Sequence, residues 1–181
     1  MWGLQTRPAA ERGDLLAAPV AAAVEGWKHA TPVSELLVAE IDPGLADTAA
    51  CCDAYGIPMG ASANCVIVAA KRGGQTRMAA CVVLATTRAD VNGVARRHLG
   101  ARKASFARQE DAVEAAGMEY GGITPIGLPA DWPVLVDSAV VEAAHVVVGS
   151  GLRASKLVVP GAVLAELPGA EVIDGLGVPA E

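Results

Sequence analysis

Apolar and polar positions alternate in short blocks along this chain, and no single element dominates it. Two β-branched runs, Cys65 to Ala70 and Met78 to Ala85, read as strands. Between them Lys71-Arg72-Gly73-Gly74-Gln75 reads as a hairpin turn, because Gly-Gly admits the positive φ angles that tight hairpins need. Upstream, residues 1 to 13 predict a loose terminus and an alanine-rich block from about Leu15 to Trp27 predicts a helix. Ser34 to Ile41 suits a strand halted by Asp42-Pro43-Gly44, and a helix over Ala46 to Tyr55 ends at Gly56, a natural left-handed cap. Asp90 can cap a helix that runs to Leu99 and stops at Gly100. A short segment around Ala104 to Ala107 then leads into a helix over Gln109 to Ala116, closed by Gly117. Further on, Pro133 to Val136, Ala144 to Val148, Lys156 to Val159 and Glu171 to Ile173 predict strands. A helical turn over Ser138 to Glu142 and a helix from Pro160 to Leu167 lie between them, and Asp137 is placed to cap the first.

Strands and short helices intermingle without a regular βαβ period. The predicted fold class is therefore α+β: a mixed, mostly antiparallel curved sheet, barrel-like, surrounded by short helices. The 181 residues suffice for one domain with a real core. Residues 1–30 read as an N-terminal extension with one helix and residues 31–181 as a single domain.

Composition narrows the classes. A chain 52% hydrophobic and 19% charged is not generally disordered, and six aromatic residues leave the core aliphatic, with small side chains to line any pocket. No apolar run is long enough to span a bilayer and Met1 to Pro8 has no signal-peptide pattern, so a cytoplasmic location without a membrane partner is expected. Cys51, Cys52, Cys65 and Cys81 form no CxxC pair and have no His at finger-like spacing; no metal and no cofactor is expected, and the thiols read as buried and reduced. A net charge of −6 argues against DNA as a partner. Its distribution qualifies that conclusion. Between residues 71 and 108, Lys71, Arg72, Arg77, Arg88, Arg96, Arg97, Arg102, Lys103 and Arg108 face one acid, Asp90, so the span carries +8, a field that a phosphate-bearing partner would meet first.

The candidate chemistry lies in Tyr120-Gly121-Gly122-Ile123-Thr124-Pro125-Ile126-Gly127, three glycines and a proline between apolar segments. Glycine permits positive φ and close approach, Pro125 holds Thr124 extended, and the product is a row of aimed N–H groups suited to an ester or carboxyl oxygen. Side-chain nucleophiles are less well supported. Cys65 lies in an apolar strand with nothing to bring His98 or His145 to it, and no two carboxylates have an acid/base spacing.

With this loop, the two helical segments before it and the tail Gly149-Ser150-Gly151-Leu152-Arg153-Ala154-Ser155-Lys156-Leu157 in order, the chain resembles the YbaK family of free-standing aminoacyl-tRNA editing domains, from about Leu36 to Ile173. The same fold occurs as the insertion domain of bacterial prolyl-tRNA synthetase. The resemblance implies hydrolysis of the ester joining a wrong amino acid to the 3′ end of a tRNA, with Gly121, Gly122, Ile123, Thr124 and Pro125 presenting the loop amides beside a water and the ribose hydroxyl. It also implies mischarged aminoacyl-tRNA, and an aminoacyl-tRNA synthetase, as partners. The family commonly places a lysine before the first apolar strand, where this chain has Asn64; Lys156 is the candidate to supply the cation from the other side of the pocket. Asn64 and Lys156 thus join the catalytic set, Ser150, Gly151 and Arg153 the substrate-binding set, and Arg96, Arg97, Arg102 and Lys103 the tRNA-binding set. The alternative is a binding module of the same fold, its chemistry lost with the lysine, that holds an aminoacyl-adenosine-like ligand, a tRNA or a synthetase.

Overall fold

A computed structural model describes residues 1–180. Two sheets face each other. The first joins β1 (Arg7–Pro8), β2 (Leu37–Glu40), β9 (Ser155–Val159) and β8 (Val146–Gly149), all antiparallel. The second runs β10 (Ala170–Ile173), β7 (Val134–Asp137), β4 (Gln75–Leu84), β3 (Ala63–Arg72) and β6 (Lys103–Phe106), with β7 parallel to both of its neighbours. A bridge between Ser62 and Val147 ties one sheet to the other, and β5 (Thr87–Ala89) pairs with β11 (Gly177–Pro179) apart from both. The family-type α+β fold stands, but the sheets do not close into a barrel: β6 and β10 end the larger sheet as edges.

Alternation explains the layers. In β8 and β9, Val146, Val148, Leu157 and Val159 face the core between the sheets, whereas Val147 and Val158 pack outward on Cys51 and Cys52 of α2 (Thr48–Tyr55). Both faces are covered, so these strands read as unbroken valine runs. The larger sheet repeats the arrangement, with Ile67 and Val82 inward and Val68 and Val83 outward toward Val91 and Ala95.

The terminus expected to be loose is docked. Leu4 and Ala9 are buried, the Ala9 N–H donates to Leu36 O at 2.9 Å, and Val20 and Val24 of α1 (Ala18–Glu25) enter the central core. Apolar burial outweighs the local Pro, Gly and charge content that suggested disorder. The segment after Asp90 begins as a wide π-helical turn, Val91–Ala95, before the short α3 (Arg96–His98), and Asp90 does cap it by accepting from the Val94 N–H at 3.0 Å. α4 (Gln109–Ala116) ends at Gly117 with φ +68°, and α5 (Ser138–Glu142) is capped by Asp137. The stretch predicted as a helix after Pro160 is a 3-10 segment, Gly161–Ala165.

Candidate functional site

The Gly121–Gly127 loop leaves α4 and is clamped by the tail that follows β8. Gly151 N–H donates to Gly122 O at 2.7 Å, Glu119 N–H donates to Gly151 O at 2.8 Å, and Arg153 spans the loop, giving Nη1 to Tyr120 O and Nη2 to Pro43 O. Gly121 has φ +81°, which strains any residue with a side chain, and a Cβ there would also have to displace the Arg153 guanidinium from the loop. Gly149 is needed for a different reason: a Cβ on it would fall on Gly122 O and 2.6 Å from Ile123 O. The loop therefore rests on the bare backbone of β8.

Gly122 uses its N–H on Glu119 O at 3.0 Å, but the N–H groups of Gly121, Ile123 and Thr124 have no acceptor among the described residues. Gly121 and Ile123 line a cavity of about 340 Å³ together with Asn64 and Lys156. These four come from the loop, the start of β3 and the start of β9, and they are the part of the expected set that the fold brings together. The remaining members lie around it. Thr124 is fully buried behind the loop, its hydroxyl without a partner; Ser150 is buried and bonded to Ser155 at 2.6 Å; Gly151 packs on Ala17 and Val20. Pro125 follows Thr124 into the interior, and Arg153 serves as the strap.

Lys156 is the notable charge. Only 8% exposed, it faces α2 from β9 and has no ion-pair or hydrogen-bond partner among the described residues. Desolvation holds its pKa below the usual lysine value, with repulsion from Arg153 adding to the shift and Asp47 opposing it. Asn64 accepts from the Thr48 hydroxyl at 2.7 Å, which leaves its amide N–H groups to donate into the cavity. Cys51 and Cys65 also line the cavity, but burial raises both thiols, Cys65 far above its ordinary value, and no histidine lines the space. A thiolate nucleophile has no support here.

Among the lining residues not assigned to the site from sequence are Asp47 and Thr48 at the first turn of α2, Ser62 just before β3, Tyr120 at the mouth and Gly149 beneath the loop. Gly149 carried a legible signal, a glycine ending a valine run. The contribution of α2 depends on tertiary packing and carried none.

A model of the aminoacyl-tRNA editing domain matches residues 42–167, which span the cavity and every strand that shapes it. The chain belongs to the aminoacyl-tRNA editing domain family. Among solved structures, this editing domain is similar to a protein provisionally described as a trans-editing enzyme for prolyl tRNA synthetase, at 23% identity and TM-score 0.72 over 87% of this chain and 94% of that one. It is also similar to a scaffold used for computational grafting of linear epitopes, at 22% identity and TM-score 0.71 over 87% and 95%. A hypothetical protein, APE2540, follows at 21% and 0.69 over 78% and 90%. At such identities the likeness concerns the fold. No curated protein matches the chain in sequence.

The basic residues expected to meet tRNA lie elsewhere. Lys103 pairs with Lys71 on β3, seven residues beyond Asn64, so the cluster that includes Arg102 and Lys103 stands about 23 Å along the hairpin from the cavity at roughly 3.3 Å per residue. Arg96 and Arg97 are on α3, beside His98, which pairs with Glu171 at 2.5 Å. No helix among the described residues is long and apolar enough to cross a membrane, and no group of three or more His, Cys, Asp or Glu there is placed to hold a metal ion.

Proposed function

We propose that this editing domain is an aminoacyl-tRNA deacylase, acting in trans on mischarged tRNA. The observation that carries the reading is that Gly121 and Ile123, whose N–H groups have no acceptor, and Lys156, a residue only 8% exposed whose ammonium has no partner among the described residues, line one small cavity. The Gly121 and Ile123 N–H groups, the Asn64 amide N–H groups and the Lys156 ammonium are all donors, and Asp47 is the one carboxylate among the lining residues, so the site favours an acceptor-rich group whose negative charge grows during reaction. An ester carbonyl under attack is such a group. Water adds to the carbonyl carbon, the N–H groups and Lys156 stabilise the oxyanion, and the C–O bond to the ribose breaks. The ribose oxygen takes up a proton and a free amino acid leaves with an intact tRNA. The vicinal ribose hydroxyl of the substrate itself would orient that water.

Small side chains shape the acyl end: Ala46, Ala63, Val147 and Val148 leave room for a short aliphatic amino acid. An apolar pocket separates substrates differing by one methylene by only about 1–3 kcal/mol, which is adequate for a second sieve behind a synthetase. The basic cluster at the far end of the hairpin would meet the acceptor stem. Incubating the protein with a panel of tRNAs, each carrying a non-cognate amino acid, tests the reading: accelerated release for a small aliphatic residue is expected. Binding of every member without release would instead support the binding module, the reading favoured by the amide at Asn64 where the family commonly has lysine.

A further inference from the structure

Tyr120 stands at the mouth of the cavity, 56% exposed as a residue, and belongs to none of the three hydrophobic clusters. It is the only aromatic residue lining that space, in a chain with six aromatic residues in all. The others that make specific contacts do so for the fold: Trp27 donates to Thr31 O at 2.7 Å, and the Tyr55 hydroxyl accepts from the Asp42 N–H at 2.9 Å. The Tyr120 hydroxyl has no partner among the described residues. Its backbone, by contrast, is held firmly. The carbonyl accepts from Arg153 Nη1 at 3.1 Å, and the turn around it is closed by the Gly122 N–H on Glu119 O. A large apolar ring is thus presented to solvent on a fixed base, one residue from an unbonded loop amide.

We infer that Tyr120 is the platform on which the terminal purine base of the RNA stacks. The inference rests on the deacylase reading and specifies how that site recognises the nucleoside. In an aminoacyl-adenosine the base is carried by the same ribose whose hydroxyl bears the ester. A carbonyl under the Gly121 amide therefore brings the base to the cavity mouth. No other aromatic side chain lines the cavity, and on the deacylase reading its donors serve the acyl and ribose oxygens, which leaves the base to be held by stacking. Stacking on tyrosine needs no hydrogen-bond reading of the base, and the rigid backbone lowers the ordering cost of using it.

The test is calorimetric binding of 3′-alanylamino-3′-deoxyadenosine, whose amide resists hydrolysis, and of the same compound lacking its base, to wild type, Tyr120→Phe and Tyr120→Ala. The complete analogue should bind wild type and Tyr120→Phe alike and Tyr120→Ala about fivefold to 150-fold more weakly, the range of one base–aromatic stack. The base-less compound should bind all three alike. Equal affinity of wild type and Tyr120→Ala for the complete analogue overturns the inference, as does an equal loss with both compounds, which marks a structural role. Adenosine 5′-monophosphate binding as tightly as the analogue overturns it too, by assigning the platform to a free nucleotide. If wild type binds neither aminoacyl compound, this inference falls together with the deacylase reading; in the other failures that reading survives.

Discussion

Gly149 and Lys156 are direct partners in the β8–β9 register, so the position that lets the loop descend and the position that supplies the buried ammonium are set by one strand pair. One pairing thereby fixes two unlike requirements of the cavity. A Cβ at Gly149 would collide with the Gly122 and Ile123 carbonyls, and both belong to backbone. Gly149→Ala should therefore lift the loop off the sheet. Overpacking of this kind costs about 1–3 kcal/mol, which for a domain of this size lowers Tm by roughly 2–4 °C per kcal/mol. At 25 °C the variant should remain folded by circular dichroism and yet lose deacylation. Retained activity at a lowered Tm would separate the loop from the chemistry.

Lys156 is expected to stabilise the reaction and destabilise the fold. Its folded pKa lies below the unfolded value because the charged form is desolvated. Between those two values the unfolded chain binds more protons, so stability rises with pH across that window; below the folded value the cost is complete. Lys156→Met should raise stability by about 1–3 kcal/mol on the acid side of the window. That advantage should shrink as pH climbs toward about 10.4, the ordinary lysine value. Activity should fall about 100-fold or more, as when an oxyanion donor is removed. Thermal unfolding of both proteins from about pH 6 to about pH 10, with single-turnover rates, checks both halves. A variant less stable than wild type throughout would mean that Lys156 has a partner in the fold.

Much of this was legible in the sequence, for identifiable reasons. Gly73 and Gly74 take φ +58° and +77° in the hairpin, Gly56 and Gly117 cap their helices with positive φ, and Asp90 and Asp137 cap theirs through side chains, all local rules written in single residues. The loop was recognisable as a motif, whereas Asn64 and Lys156 came into view only through the family resemblance. What the sequence hid was long-range. Leu4 and Ala9 look like a frayed terminus until β1 pairs with β2. The β5–β11 pair joins segments nearly ninety residues apart, Ala89 opposite Gly177. Asp47 and Thr48 reach the cavity only because Cys51 and Cys52 seat α2 on the outer face of β8 and β9.

The basic cluster makes an electrostatic prediction. Arg97 forms no ion pair among the described residues, and Arg96 uses only Nε, on Asn92 O at 2.9 Å. If both face the acceptor stem, Arg96→Glu with Arg97→Glu should weaken tRNA binding. The slope of log K against log salt should become shallower by roughly one to two, the contribution of two phosphate contacts. Filter binding across a salt series measures it; an unchanged slope would place α3 on a solvent face away from RNA.

The central claim is that main-chain amides at Gly121 and Ile123, with Lys156, grip the acyl carbonyl. A crystal structure of the protein with 3′-alanylamino-3′-deoxyadenosine tests it most directly. The account predicts the amide carbonyl oxygen at about 2.7–3.2 Å from the Gly121 or Ile123 nitrogen, with the Lys156 ammonium on the same side. An acyl group bound outside the cavity, or inside it with both nitrogens still facing water, would contradict the account.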